Sequence, residues 1–185
     1  MASEDLPANG HGGPADPKVH LRRTLRAARK AYVAGLTEAE REQQQAALVR
    51  HLARHLPRGR IAGYRAVGSE IAVDSLLPSL LLPRVVADAA LEFCDDGGRR
   101  LRPAVVLLPL LAVDRCGTRL GQGGGHYDRT LAVLRTAGRV LAVGCAWDVQ
   151  LVDVLPSDDW DEPLDALATP SQWLTFPLRR PMPPQ

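Results

Sequence analysis

The sequence predicts an α/β protein, an open and mostly parallel sheet flanked by helices in three layers. Three observations carry that expectation. Two helical stretches occupy the chain before residue 57, and short apolar runs then recur with crossover-length spacers between them. The third is a loop crowded with glycine, lying between one apolar run and another helical stretch.

Taken in order, residues 1–16 are rich in Gly, Pro, Ala and Asp and read as a disordered lead. Pro17 to Tyr32 reads as a helix in which Leu21, Leu25, Ala28 and Tyr32 form an apolar stripe that docks on the core. Beside it Lys18, Arg22 and Arg29 fall within roughly 40° of one another at 100° per residue, a basic stripe. By itself such a stripe is a solvated face as readily as the wall of a pocket. Thr37 and Glu40 form a capping box that opens a second helix running to about Leu56. Strands follow at Arg60–Tyr64, Leu80–Val86, Ala104–Leu108 and Arg139–Gly144, with a fifth at Asp165–Thr169. A clipped helix, broken at Pro78, is expected between Glu70 and Leu82, and a further helix spans Tyr127 to Ala137. Residues 17–176 then make one domain, and residues 177–185, with four prolines, make an unstructured tail.

Composition narrows the function classes. The chain has 185 residues, 45% of them hydrophobic, enough for one sizeable core. A formal net charge of +2 is too small to argue for a nucleic-acid partner. No apolar run reaches membrane-spanning length, and three scattered cysteines without CxxC spacing fit a reducing compartment, so a soluble cytoplasmic protein is expected. His51 and His55 are one helical turn apart, but a solvated helix face explains them without a metal. Basic charge is nearly all arginine, with lysine only at Lys18 and Lys30, which points weakly at Lys18.

The segment Asp114-Arg-Cys-Gly-Thr-Arg-Leu-Gly-Gln-Gly-Gly-Gly-His-Tyr-Asp-Arg129 carries the most chemistry. Gly121, Gly123, Gly124 and Gly125 fill four of five positions, between the apolar run Ala104–Leu111 and a helix. Glycines let backbone N–H groups approach an oxyanion, and a helix N-terminus adds partial positive charge. A loop that merely needs positive φ is the plainer alternative. Neither a Lys-Ser/Thr P-loop nor the six-position dinucleotide fingerprint is present.

Arg119-Leu-Gly-Gln-Gly-Gly-Gly-His-Tyr-Asp-Arg129, preceded by Pro109-Leu-Leu-Ala-Val-Asp114, resembles the signature of the 5-formyltetrahydrofolate cyclo-ligases. Lys18-Val-His-Leu-Arg22 is similar to that family's Lys-x-x-Leu-Arg, and Tyr64-Arg-Ala-Val-Gly-Ser-Glu70 to its Tyr-x-Pro-x-x-x-Glu, with Ala66 at the proline. Leu155-Pro-Ser-Asp-Asp-Trp-Asp161 is similar to Leu-Pro-x-Glu-x-His-Asp, with Trp160 at the histidine. The resemblance implies a Rossmann-like nucleotide-binding arrangement and an ATP-driven cyclisation of 5-formyltetrahydrofolate to 5,10-methenyltetrahydrofolate. Its substrates are small molecules, with neither nucleic acid nor membrane as partner. It places ATP on Lys18, Arg22, Arg119, Leu120, Gly121, Gln122, Gly123, Gly124, Gly125, His126 and Tyr127. It places the reduced folate on Arg65, Glu70 and the segment Gln122–Tyr127, and magnesium on Asp128 and Asp161. Read alone, Asp128 suits a helix dipole, Asp161 a turn before Pro163, and Glu70 an exposed loop. Family members carry a longer insert where only Cys94–Leu101 stands here, which reads as a turn. Two alternatives therefore stay open: a trimmed homologue that binds nucleotide or folate without turnover, and an ATP-dependent enzyme acting on another small substrate.

Overall fold

In a computed structural model, residues 17–73, 80–87 and 89–177 are described. The expected lead, the break at Pro78 and the tail beyond Pro177 lie outside them.

Two helices open the chain, α1 (Pro17–Ala34) and α2 (Glu38–His55). The capping box at the start of α2 forms as expected: Thr37 Oγ1 accepts from the Glu40 N–H at 3.3 Å, and Glu40 Oε2 accepts from the Thr37 N–H at 2.8 Å. Leu48 and Leu52 on α2 are fully buried.

The central sheet is built from β1 (Ile61–Ala62), β4 (Val105–Pro109), β7 (Leu141–Cys145), β9 (Ala166–Ala168) and β10 (Trp173–Thr175), adjacent in that order. β1, β4, β7 and β9 run parallel, and β10 closes the edge antiparallel to β9. The period-2 alternation of a strand decides the layers. Val105 and Leu107 pack with Leu48 and Leu52 of α2, whereas Val106 and Leu108 pack with Leu131 of a third helix, α3 (His126–Thr136). An open parallel sheet between helices is the expected three-layer α/β arrangement.

The periphery departs from expectation. Leu80–Val86 does not continue the parallel sheet. Only Leu81 bridges β1, and the chain then forms β2 (Leu82–Arg84), antiparallel to β3 (Glu92–Cys94). Pro83 has no N–H to give a ladder, so pairing with β1 stops before it. The turn after β3 closes through the Gly98 N–H to the Asp95 carbonyl at 2.9 Å, as the sequence suggests. A separate three-stranded sheet, formed by β5 (Ala112–Asp114), β6 (Arg119–Leu120) and β8 (Leu151–Val152), departs from the expected strands as well. On α1, Leu21 and Leu25 pack on Ala112, Leu120 and Leu155, but Ala28 is exposed and its neighbour Arg29 turns inward instead.

The β5–β6 hairpin aims the glycine loop, and Asp114 holds its turn. Asp114 Oδ1 accepts from the N–H groups of Cys116 and Thr118 at 2.8 and 2.9 Å, and Oδ2 from that of Leu155 at 3.2 Å. Gly117 in this turn has φ 82°, and a Cβ there would lie 2.8 Å from Phe176 Cγ and 3.0 Å from the Leu164 carbonyl oxygen. Gly117→Ala should therefore cost about 2–4 kcal/mol, from left-handed backbone plus overlap. Urea unfolding checks this; a loss below about 0.5 kcal/mol would mean that the hairpin is not packed as described.

Candidate functional site

Strand β6 delivers Arg119 and Leu120, both buried, to the head of the glycine loop, and α3 begins directly after it at His126. Gly125 is the residue before the helix, at φ 63°, and Gly123 has φ 106°; a side chain would be strained at either position. The remaining glycines do not require positive φ. At Gly124 a Cβ would lie 2.8 Å from the His126 ring, a contact that the partly exposed imidazole can relieve by turning. Arg22 Nε donates to the Gly121 carbonyl at 3.3 Å, laying the guanidinium over the loop. Arg129 folds back to donate to the Gly124 carbonyl at 3.0 Å.

Loop, helix end and α1 enclose a cavity of about 520 Å³. It gathers Lys18, Arg22, Arg119, Leu120, the four loop glycines, Gln122, His126, Tyr127, Asp128 and Asp161, so all the expected phosphate and metal residues share one space. Pro109, Arg129, Ala132, Asp158 and Trp160 also line it. Of these, Asp158 had a signal, because it stands at the glutamate of the Leu-Pro-x-Glu motif. Arg65 and Glu70 are not among the lining residues. Arg65 is exposed.

The charges are paired. Lys18 is buried, and its Nζ donates to Asp158 Oδ2 at 2.6 Å and to Asp161 Oδ2 at 2.7 Å. Burial alone would lower its pKa, but the hydrogen bonds and charges of the two carboxylates outweigh that and raise it above 10.5. Lys18 is therefore a permanent cation at neutral pH. Arg119 Nη2 donates to Asp128 Oδ1 at 2.7 Å, and its Nη1 donates to the Glu162 carbonyl. Asp128 Oδ1 also accepts from the Glu162 N–H at 3.1 Å. Among the described residues no three His, Cys, Asp or Glu converge as a ready metal cage. The cavity instead offers the Asp128, Asp158 and Asp161 carboxylates beside the glycine loop. Magnesium is commonly held by one or two such carboxylates, with the ligand's own phosphates completing the shell.

Glu70 is buried at the back of the loop. Its Oε2 accepts from the Val67 N–H at 3.1 Å, and its Oε1 accepts from Gln122 Nε2 at 3.3 Å and lies 3.7 Å from Arg29 Nη1. The exposed-loop reading of this glutamate is thus overturned: a buried cation draws it in. Arg26 Nη2 donates to Gln122 Oε1 at 2.7 Å, so one amide links α1, the glycine loop and Glu70. Burial first, then the Glu70 charge, pushes the Tyr127 phenol up, so Tyr127 stays a neutral hydrogen-bonding group. Chemically, the arrangement can hold a polyanion on backbone and cations while keeping a carboxylate and a phenol nearby for a polar heterocycle.

Comparison with known proteins agrees in one direction. The model of the 5-formyltetrahydrofolate cyclo-ligase family matches residues 99–170. The 5-formyltetrahydrofolate cyclo-ligase of Escherichia coli K12 is 50% identical over 68 residues, a span that is 37% of this chain and 37% of that protein. The matched segment therefore covers well under half of that relative. The enzyme of that name from Mycoplasma genitalium is 30% identical over 118 residues, 58% of this chain and 70% of its own. Among solved structures, the 5,10-methenyltetrahydrofolate synthetase of Aquifex aeolicus superposes with a TM-score of 0.69 at 26% identity, over 91% of this chain and 96% of that one. The Mycoplasma pneumoniae synthetase superposes at 0.71 with 24% identity, over 84% and 99%, which is a likeness of fold.

Proposed function

The chain belongs to the 5-formyltetrahydrofolate cyclo-ligase family, and from that premise we propose that it converts 5-formyltetrahydrofolate and ATP to 5,10-methenyltetrahydrofolate, ADP and phosphate. The observation that carries the reading is the single cavity in which Lys18, Arg22, Arg119 and the Gly121–Gly125 loop meet the N-terminus of α3. A triphosphate fits that charge and that backbone.

The chemistry follows from the substrate. A formamide oxygen is a poor leaving group. It attacks the γ-phosphorus of ATP, ADP leaves, and the formyl carbon becomes the electrophilic carbon of an N5-iminium phosphate. N10 adds to that carbon and loses its proton, and the C–O bond breaks to release phosphate as the imidazolinium ring forms. Such a sequence needs no protein nucleophile, only positioning and neutralisation of charge. Lys18, Arg22 and the loop N–H groups would bind the phosphates, while Glu70 and Tyr127 would orient the pterin from the far side of Gln122. Asp128 and Asp161 would hold magnesium, which when bound offsets phosphate charge. A cytoplasmic site of action belongs to the same reading; its cysteines are free, and no described helix is long and apolar enough to cross a membrane.

One observation favours a second reading, binding without turnover. Glu70 lies outside the cavity lining and is engaged by Arg29 and Gln122, and the Cys94–Arg100 link is only a tight turn. Absorbance in the methenyltetrahydrofolate band separates the two. Purified protein with MgATP and 5-formyltetrahydrofolate should give an ATP-dependent rise. A flat trace from folded protein that still binds ATP would replace the cyclo-ligase reading with the binding one.

A further inference from the structure

The three tryptophans differ in what they do. Trp147 is fully buried and its indole N–H donates to the Ser69 carbonyl at 2.9 Å. Trp173 stacks on His55, with ring centroids 4.8 Å apart and planes 6° from parallel. Trp160 is 73% exposed, and among the described residues no ring contact or indole hydrogen bond engages it. It is also the one aromatic among the exposed large hydrophobic side chains of those residues, and it lines the cavity. Set at the edge of a ligand-sized cavity, the indole presents an uncovered π-face to whatever binds there.

Its backbone is held firmly. The Asp161 N–H donates to the Asp158 carbonyl at 3.0 Å, closing a four-residue turn, and the Asp158 N–H donates to Asp161 Oδ2 at 2.8 Å. Both carboxylates of that turn sit on the Lys18 ammonium. Trp160 occupies the corner of a turn that is pinned at both ends, so little further ordering is needed when a ligand meets it.

We infer that Trp160 is a stacking platform for the planar heterocycle of a ligand whose phosphates lie on the glycine loop. This rests on the reading of the cavity as a nucleotide site. The basic floor takes the phosphate end, which leaves a purine pointing to the rim where the indole stands. A reduced pterin, saturated in its second ring and without phosphates, offers only a pyrimidine face and is the competing occupant that the test must separate. Stacking on an exposed Trp needs no hydrogen-bond match, so it contributes affinity with little base specificity.

The test uses the indole itself. Three Trp Nε1–H cross-peaks are expected in a ¹H–¹⁵N spectrum of the full chain, and Trp160→Phe identifies the one that belongs to position 160. Saturating ATP should shift that peak, and saturating tripolyphosphate should leave it in place. By calorimetry Trp160→Ala should weaken ATP about tenfold without altering tripolyphosphate affinity, and Trp160→Phe should restore most of it. A shift with 5-formyltetrahydrofolate instead of ATP overturns the nucleotide platform and assigns the indole to the pterin. Saturation by both ligands with the peak unmoved overturns the platform and leaves the nucleotide reading standing. Failure of both ATP and tripolyphosphate to bind overturns the two together.

Discussion

Lys18→Ala should lower kcat/KM for MgATP by about 100–1000-fold, the scale of losing a fixed charge at a phosphoryl-transfer site. The effect has two parts. The ammonium that faces the phosphate loop is gone, and Asp158 and Asp161, each within 2.7 Å of it, are left beside an incoming polyanion without their shared cation. Circular dichroism should remain native, since the change sits on the first turn of α1. Unchanged turnover would remove Lys18 from the site. The pH dependence carries a sign as well. Because folding raises the Lys18 pKa, the protonated form and the tie it makes are present below 10.5 and are lost only as pH rises through the higher folded value. An alkaline limb of activity near pH 8 would therefore have to come from another group.

Arg29→Ala should cost about 3–5 kcal/mol of stability, the usual result of removing one partner of a buried ion pair. Arg29 is 4% exposed, and it is the cation beside Glu70, the donor to the Leu110 carbonyl at 3.0 Å and the donor to Ser69 Oγ at 3.1 Å. Its loss leaves the buried Glu70 carboxylate without its cation, while the Leu110 carbonyl keeps the Gln150 Nε2–H at 2.6 Å. Combining Arg29→Met with Glu70→Gln should recover much of that stability, because the second change removes the stranded charge. Urea melts measure both. A single-variant loss below about 1 kcal/mol would show that the Arg29–Glu70 pair is solvated.

These two residues also mark the limit of sequence reading. Val105 to Leu108 is apolar on both faces, and that announces a central strand without any knowledge of its neighbours. Leu141–Cys145 and Ala166–Ala168 were legible for the same reason, and Thr37 with Glu40 marks a helix start through local chemistry alone. Strands β5, β6, β8 and β10 are only two or three residues long, too short for an alternation to show; β5–β6 and β9–β10 are tight hairpins, and β8 depends on β5 far earlier in the chain. Buried charge is invisible for a related reason. An arginine on a helix or a glutamate in a loop reads as solvated until the fold supplies its partner, as with Arg29 and Glu70. The glycine loop was legible as a cluster, but the carboxylate clamp on Lys18 was not, because Asp158 and Asp161 come from more than 130 residues away.

That separation bears on how the protein is made. Lys18 meets Asp158 and Asp161 across 140 and 143 residues, so the cavity is a seam between the first and last thirds of the described chain. A ribosome delivers α1, α2 and the glycine loop well before it delivers the turn that closes them. The nascent protein can lay down its parallel sheet as far as β7 and still have no wall on one side of the phosphate loop. Competence for ligand thus comes late in translation, with only β9 and β10 of the central sheet still to follow, and a chain stopped before Asp158 would carry the signature loop with no closed site.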